Sequence, residues 1–369
     1  MRVLILIKGL GLGGAERLLE RSIPYLNREQ FDYRLAFLLP WKNALVEPFE
    51  AAGIPVRCLN VRFPFDPGAL TRLIALLRRE RIDLVHAHLP IPGVLARLAK
   101  RRANVRAVVY TEHGVPSRTR IASRLLSAAT YRMNDAVIAV SDEVARAIRP
   151  YVRGGRPRVV TIPNAIDAAM FDGQSMGREQ ICQEFGFPSD ARIVVNVGNL
   201  RAVKGHKYLL AAARRVIDRD PRARFLLVGI GPLAGRLAGE ARRLGLNGQV
   251  VFTGFRPDAA ALIGAADLFV LPSVYEGLPI SLLEAMALAR PAVVTRVGGV
   301  PEVVEAGETG VLVEPGDVAG LAEEIVRLLG DPERRRRMGQ AARRRVTQRH
   351  GMAQMVAAVE DVYRQVVSQ

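Results

Sequence analysis

Short apolar runs alternate with stretches of helical periodicity along the whole chain. Runs at residues 3–7, 33–39, 84–88, 105–110, 136–140, 158–162, 193–197, 224–228, 250–252, 268–271, 292–295 and 311–313 read as strands. Most are unbroken β-branched or leucine runs, not apolar–polar alternations. That pattern suits strands covered on both faces, hence parallel sheets with crossover helices. Segments such as 68–80 and 281–289 carry the helical spacing between them. The expected class is α/β throughout. So many strands exceed the roughly ten that one open sheet holds comfortably, so two sheets are expected. Pro163 and Asn164 interrupt the pattern and mark a hinge. The expected domains are residues 1–165 and 166–351, with a last helix from residue 352 onward that the pattern alone assigns to neither.

Composition agrees with that picture. The 369 residues are 49% hydrophobic and 24% charged, which excludes disorder as the main state and leaves material for two cores. No stretch of about 18 apolar residues is present to span a membrane. The run at 3–7 stops at Lys8, too short for a signal-peptide core. Cys58 and Cys182 lie far apart without metal-type spacing, and a reduced, cytoplasmic compartment is expected. The formal net charge of +17 is uneven: residues 1–165 hold 27 basic and 13 acidic residues, and residues 166–369 hold 26 and 23. The first half is therefore expected to meet an acidic partner or surface.

Several glycine-rich loops follow strands. Gly9-Leu10-Gly11-Leu12-Gly13-Gly14 matches the G-x-G-x-x-G pattern of a close backbone approach to a phosphate. An NAD site also wants an acid at the end of the second strand, where this chain has Leu39-Pro40-Trp41-Lys42. A tight structural turn explains these glycines equally well. In the second half, Arg201 and Lys204 sit three apart after a strand and near a helix start, which suits a diphosphate. Gly229-Ile230-Gly231 and Gly254-Phe255-Arg256 also end strands, where doubly wound sheets place ligands.

The most informative stretch is Leu271-Pro272-Ser273-Val274-Tyr275-Glu276-Gly277-Leu278-Pro279-Ile280-Ser281-Leu282-Leu283-Glu284. Glu276 falls in a loop, and Pro279 suits a first helical position. Glu284 then lies about 7.5 Å further along the helix. The two carboxylates suit separated hydroxyl-rich parts of one long ligand. The N–H groups of Gly277 and Leu278 can face a phosphate at the helix start. A helix cap and an ordinary helix-surface residue are the bland alternatives.

This stretch resembles the E-x7-E signature of retaining glycosyltransferases of family 4. The likeness extends over essentially the whole chain, through Gly13-Gly14-Ala15-Glu16, Thr111-Glu112-His113-Gly114, Ser141-Asp142-Glu143, Ile162-Pro163-Asn164, Arg201-x-x-Lys204-Gly205, Gly298-Gly299-Val300-Pro301-Glu302 and Asp331-Pro332. The resemblance implies the GT-B architecture, two Rossmann-like domains with parallel sheets facing across a cleft. It implies an acceptor-binding first domain, completed by a crossing helix within residues 352–369, and a nucleotide-sugar-binding second domain. It implies that Glu276 contacts the donor sugar and stabilises charge at the reacting carbon, and that His113 reaches that sugar. Glu284 would bind the ribose, while Arg201 and Lys204 neutralise the diphosphate. Gly13, Gly14, Gly231, Phe255, Gly277, Leu278 and Pro279 complete the implied donor site. No metal or other cofactor is implied, and the acceptor is expected to be a glycan or lipid-linked.

His86 and His88 share a strand face and could chelate a metal, but no third ligand is evident, so packing or acceptor contact is the expectation. Residues 117–135 interleave Arg118, Arg120, Arg124 and Arg132 with Ile121, Leu125 and Leu126, as an interfacial helix on anionic lipid would. An ordinary amphipathic helix fits the same letters. A GT-B nucleotide-sugar epimerase is the near alternative. An NAD-dependent oxidoreductase rests on the first glycine loop alone, and a nucleic-acid-binding protein on charge alone, against few aromatics and no recognisable module.

Overall fold

Strands that are apolar on both faces need cover on both, and the chain supplies it with crossover helices. The structure is a computed structural model that describes the chain except residues 62–65, 67, 115–120, 153 and 369 and the side chains of 121 and 122. It divides into two compact units, Met1–Asn164 with Met352–Gln369, and Ala165–Gly351.

The first unit holds a parallel sheet of β1 (Arg2–Ile7), β2 (Asp32–Phe37), β3 (Val56–Cys58), β4 (Leu84–His88), β5 (Ala107–Glu112), β6 (Ala136–Ala139) and β7 (Arg158–Thr161). Its spatial order is β3-β2-β1-β4-β5-β6-β7, so the winding reverses between β1 and β4. Val3, Ile5, Ile7, Leu35, Phe37 and Val109 form the centre of its core. The helix Met352–Val367 packs on this unit through Val362 and Tyr363. Polar anchors hold it as well: the buried Glu360 carboxylate accepts from the Tyr33 hydroxyl at 2.7 Å and from the Asn27 N–H at 2.9 Å.

The second unit holds β8 (Arg192–Val197), β9 (Ala223–Val228), β10 (Val250–Gly254), β11 (Leu268–Leu271), β12 (Ala292–Thr295) and β13 (Val311–Val313). Their order is β10-β9-β8-β11-β12-β13, again all parallel, with the reversal between β8 and β11. Helices His206–Arg219 and Val318–Gly330 cover one face through Leu209, Val216, Ile325 and Leu328. Asp331 caps the next helix, Pro332–Arg349, by accepting from the Arg334 N–H at 2.9 Å. In such sheets ligands sit beyond the carboxyl ends of the strands at the reversal point.

Four elements differ from the sequence reading. β3 has three residues at the sheet edge with Arg57 in its middle, too short and too polar to register as an apolar run. β5 runs two residues beyond its apolar stretch, because Thr111 and Glu112 are buried within the strand. Pro279 is the N-cap of the helix Ile280–Ala287 in extended geometry, not its first helical residue. The helix expected over 117–135 runs from Ile121 to Thr130 and ends in a 3-10 turn at Tyr131–Met133; Arg118 and Arg120 lie outside the described residues.

Candidate functional site

The loops after β8 and β11 flank the reversal point of the second sheet. Lys204 lies on the first and Glu276 on the second, 72 positions apart in sequence, and Lys204 Nζ donates to Glu276 Oε1 at 2.7 Å. The Ser273 hydroxyl donates to the same oxygen at 2.6 Å. Glu276 is 8% exposed, and a carboxylate this deep requires such donors. Both donors engage Oε1, and Oε2 takes part in neither bond. Ser273 is held in turn by Thr295, whose hydroxyl donates to the Ser273 carbonyl at 2.5 Å.

Glycines set how closely these loops approach. Gly205, at φ +69°, lies so near the Pro272 carbonyl oxygen that a Cβ would overlap it. Gly298, at φ +53°, is packed in the same way on the Glu276 carbonyl. The neighbouring Gly299 N–H donates to the Gly277 carbonyl at 2.7 Å. Side chains at either glycine would push the Glu276 loop away. Gly231 is pressed on the Leu200 backbone, so close packing within the loops already explains its lack of a side chain.

The other expected donor residues of this unit lie around the same edge. Arg201 is exposed at the start of the 3-10 turn Ala202–Lys204, and Glu284 is half-buried on the helix Ile280–Ala287. Gly277, Leu278 and Pro279 are buried where that helix begins. Phe255 is 42% exposed after β10, and Ile230 is 57% exposed after the adjacent β9. Two exposed apolar side chains on neighbouring strand ends suit a flat ring. Arg256 beside them is engaged by Glu184 and Asp258 and is thereby a structural residue.

In the first unit the glycine loop follows β1. Gly13 is the N-cap of the helix Gly14–Ser22, and the Glu16 carboxylate folds back against it. Burial raises the Glu16 pKa, and Lys42 and Lys8 oppose that rise. Glu16 is thus part of the packing of the glycine loop. His113 follows β5 and lies 3.0 Å from His88, Nε2 to Nδ1. Burial pushes the His113 pKa down to about 4 and that of His86 to about 3, so both rings are neutral at neutral pH. The third histidine, absent from the sequence reading of the His86–His88 pair, is thus His113. Among the described residues no group of three His, Cys, Asp or Glu side chains is arranged to hold a metal.

A buried cluster lies beside His113. Arg97 is fully buried, with its guanidinium carbon 5.4 Å from the Tyr110 ring centre and 5.6 Å from that of Tyr131. It donates to the Gly93 carbonyl at 2.8 Å and to the Ser127 hydroxyl at 3.2 Å. Burial raises the Glu112 pKa to about 8 despite the opposing charge of Arg97. Sequence reasoning missed Ser273, Thr295, His88 as a partner of His113, and Arg97. Ser273 and Thr295 had a signal, since each is a hydroxyl at the end of an apolar strand. Arg97 had none, because its letter is one among many basic residues. Trp41, in the loop after β2, is exposed.

The fold is shared with known proteins. Residues 177–345 match the family described as glycosyl transferases group 1, and residues 12–169 match glycosyltransferase family 4. The chain is 31% identical over 309 residues to the N-acetyl-alpha-D-glucosaminyl L-malate synthase of Bacillus anthracis, covering 82% of this chain and 80% of the relative. It is 26% identical over 364 residues to the UDP-Gal:alpha-D-GlcNAc-diphosphoundecaprenol alpha-1,3-galactosyltransferase of Escherichia coli, covering 95% and 94%. The crystal structure of Anabaena HepE with UDP and glucose matches with a TM-score of 0.86 at 25% identity, covering 99% of this chain and 100% of the other. The chain belongs to the group 1 glycosyltransferases of family 4, a retaining family with the GT-B fold.

The Glu112 shift has a testable sign. A carboxyl whose folded pKa is raised adds stability that is complete below its unfolded value of 4.5 and is lost as pH rises through about 8. Glu112→Gln, which cannot titrate, therefore gains stability relative to wild type between pH 5 and pH 8. Urea unfolding at the two pH values reads this directly. Parallel pH dependence in the two proteins would contradict a buried, protonated Glu112.

Proposed function

We propose that the chain transfers a sugar, with retention, from a nucleoside diphosphate sugar to a lipid-linked or saccharide acceptor in cell-surface glycan synthesis, whether of lipopolysaccharide, exopolysaccharide or glycolipid. The observation that carries the donor half is the Lys204–Glu276–Ser273 arrangement at the reversal point of the second sheet. UDP bound in the Anabaena structure, and the diphosphoundecaprenol acceptor named for the Escherichia coli relative, support the donor and acceptor classes.

In this reading the diphosphate lies against Arg201 and Lys204, which offset the charge that grows as it leaves. Lys204 also pairs with Glu276, so one cation serves the carboxylate and the leaving group together. Glu276, with Oε2 toward the sugar, stabilises positive charge at the anomeric carbon, and His113 meets the sugar's hydroxyls. Glu284 takes the ribose, and Phe255 lies along the base. Gly13 and Gly14 approach the diphosphate or the acceptor, and the backbones of Gly231, Gly277, Leu278 and Pro279 shape the donor pocket. The C1–O bond to phosphate breaks, the acceptor oxygen bonds to C1 on the same face, and its proton goes to the departing phosphate oxygen. These steps need no metal.

Glu276→Gln keeps the size of the side chain and removes its charge. Turnover should fall by about 10²- to 10³-fold while the protein stays folded, the scale of losing one placed electrostatic group. Unchanged turnover in product analysis would overturn the assignment.

The acceptor side is read as a peripheral contact with the cytoplasmic membrane face. No helix among the described residues is long and apolar enough to cross a membrane. On the helix Ile121–Thr130, Leu125 is 62% exposed and Leu126 is 44% exposed beside Arg124, in the half of the chain that carries most of the positive charge. Exposed leucines with basic neighbours suit an anionic lipid surface. Co-sedimentation with phosphatidylglycerol vesicles at low salt should capture the protein, and Leu125→Asp with Leu126→Asp should release it. Failure to bind at low salt would end this part of the reading.

A further inference from the structure

We propose that His88 is a positioning residue for His113: it engages Nε2 of the His113 ring and leaves Nδ1 as the nitrogen that His113 offers to a ligand. The inference rests on the reading that His113 meets the donor sugar. Three observations carry it. First, His88 Nδ1 and His113 Nε2 lie 3.0 Å apart, with ring centres at 5.3 Å and planes inclined at 33°. Second, His88 is 4% exposed, and its other nitrogen, Nε2, has no hydrogen-bond partner among the described residues. Among the described residues the ring's one hydrogen bond is the one to His113. Burying a polar ring nitrogen without a partner is costly, so packing alone would favour an apolar residue here. Third, the plane of His88 is set from behind. The His86 ring lies 4.2 Å away, centre to centre, and both of its nitrogens are engaged. His86 Nδ1 pairs with the Tyr363 hydroxyl at 2.5 Å, and Nε2 with the Thr111 hydroxyl at 2.7 Å. The C-terminal helix thereby braces a stack that ends at His113.

The chemistry of the pair is simple. Both rings are neutral, so one supplies the N–H and the other the lone pair. The His113 ring cannot spin without breaking this bond, and its Nδ1 is held in one direction. A group placed in advance loses less on reaching the transition state, and a displacement of about 1 Å can cost about 10²-fold in rate. His88 lines a cavity of about 60 Å³ together with His113, Leu18 and Met355, which gives the His113 ring room to move once the bond is lost.

The test compares His88→Phe, which keeps a flat ring and removes the bond, with His88→Asn, whose amide can donate or accept in place of Nδ1. Hydrolysis of UDP-, GDP- and ADP-glucose, read as nucleoside diphosphate release, gives kcat. Calorimetry gives Kd for the diphosphate alone. His88→Phe should lower kcat by about 10²-fold with the diphosphate Kd unchanged, and His88→Asn should recover most of the loss. Equal losses in both variants, or no loss in His88→Phe, would overturn the proposal. His113→Ala is measured in parallel: full activity there removes the reading of His113 itself, whereas a loss there with none in His88→Phe removes the role of His88 alone. Ring nitrogen NMR of the unsubstituted protein, which has five histidines, tests the bond without depending on a variant's folding. One fixed tautomer at His113 is the expected spectrum, and a freely averaged ring contradicts the proposal.

Discussion

A carboxylate taken out of water must find donors, and Glu276 finds Lys204 and Ser273. That requirement organises the carboxyl edge of the second sheet. It draws the loop after β8 onto the loop after β11 across the reversal point. The approach is close enough to exclude a side chain at Gly205, and the loop after β12 packs on the Glu276 carbonyl closely enough to exclude one at Gly298; the positive φ angles of both favour glycine as well. It also orders the hydroxyl of Thr295 behind Ser273. The pair is a weak source of net stability, since desolvating two charges offsets most of their attraction. Its value lies in placement: one cation and one carboxylate oxygen are held together at the reversal point of the sheet.

The first unit solves a similar problem with neutral groups. Its histidines and Glu112 are buried where ionisation is costly, and their pKa values move in the directions that keep them uncharged. Arg97 is the exception, a buried cation set among two aromatic rings and neutral acceptors. Hydrogen bonds from β2, β4 and β5 reach the helix Met352–Val367 through Glu360 and Tyr363 or end on its neighbours. The last segment of the chain is therefore part of the packing that fixes the histidines, although it lies over two hundred positions away in sequence.

Fold class was legible because parallel strands covered on both faces leave unbroken apolar runs, and that signal needs no tertiary knowledge. β3 was not legible, because a three-residue edge strand has no room for such a pattern. The end of β5 was hidden for a different reason: Thr111 and Glu112 are polar letters in buried positions, and burial is decided by neighbours distant in sequence. The same limit applies at the site. Glu276 stood out as an acid in a distinctive loop, but its bond to Lys204 across 72 positions could only come from the sheet order. His86 and His88 were visible as a pair on one face, whereas the approach of His113 depends on β5 lying beside β4. Arg97 carried no mark that separates a buried arginine from an exposed one.

In the proposed function the carboxyl edge of the second sheet binds a nucleoside diphosphate sugar, with Glu284 on the ribose. Calorimetric titration of UDP-, GDP- and ADP-sugars, with NAD as the control, into wild type and Glu284→Ala reads this binding and the part of Glu284 in it. One nucleotide sugar should bind wild type, and the variant should lose this binding. Binding of NAD with no nucleotide sugar, or equal binding of the sugar nucleotide to both proteins, would contradict it.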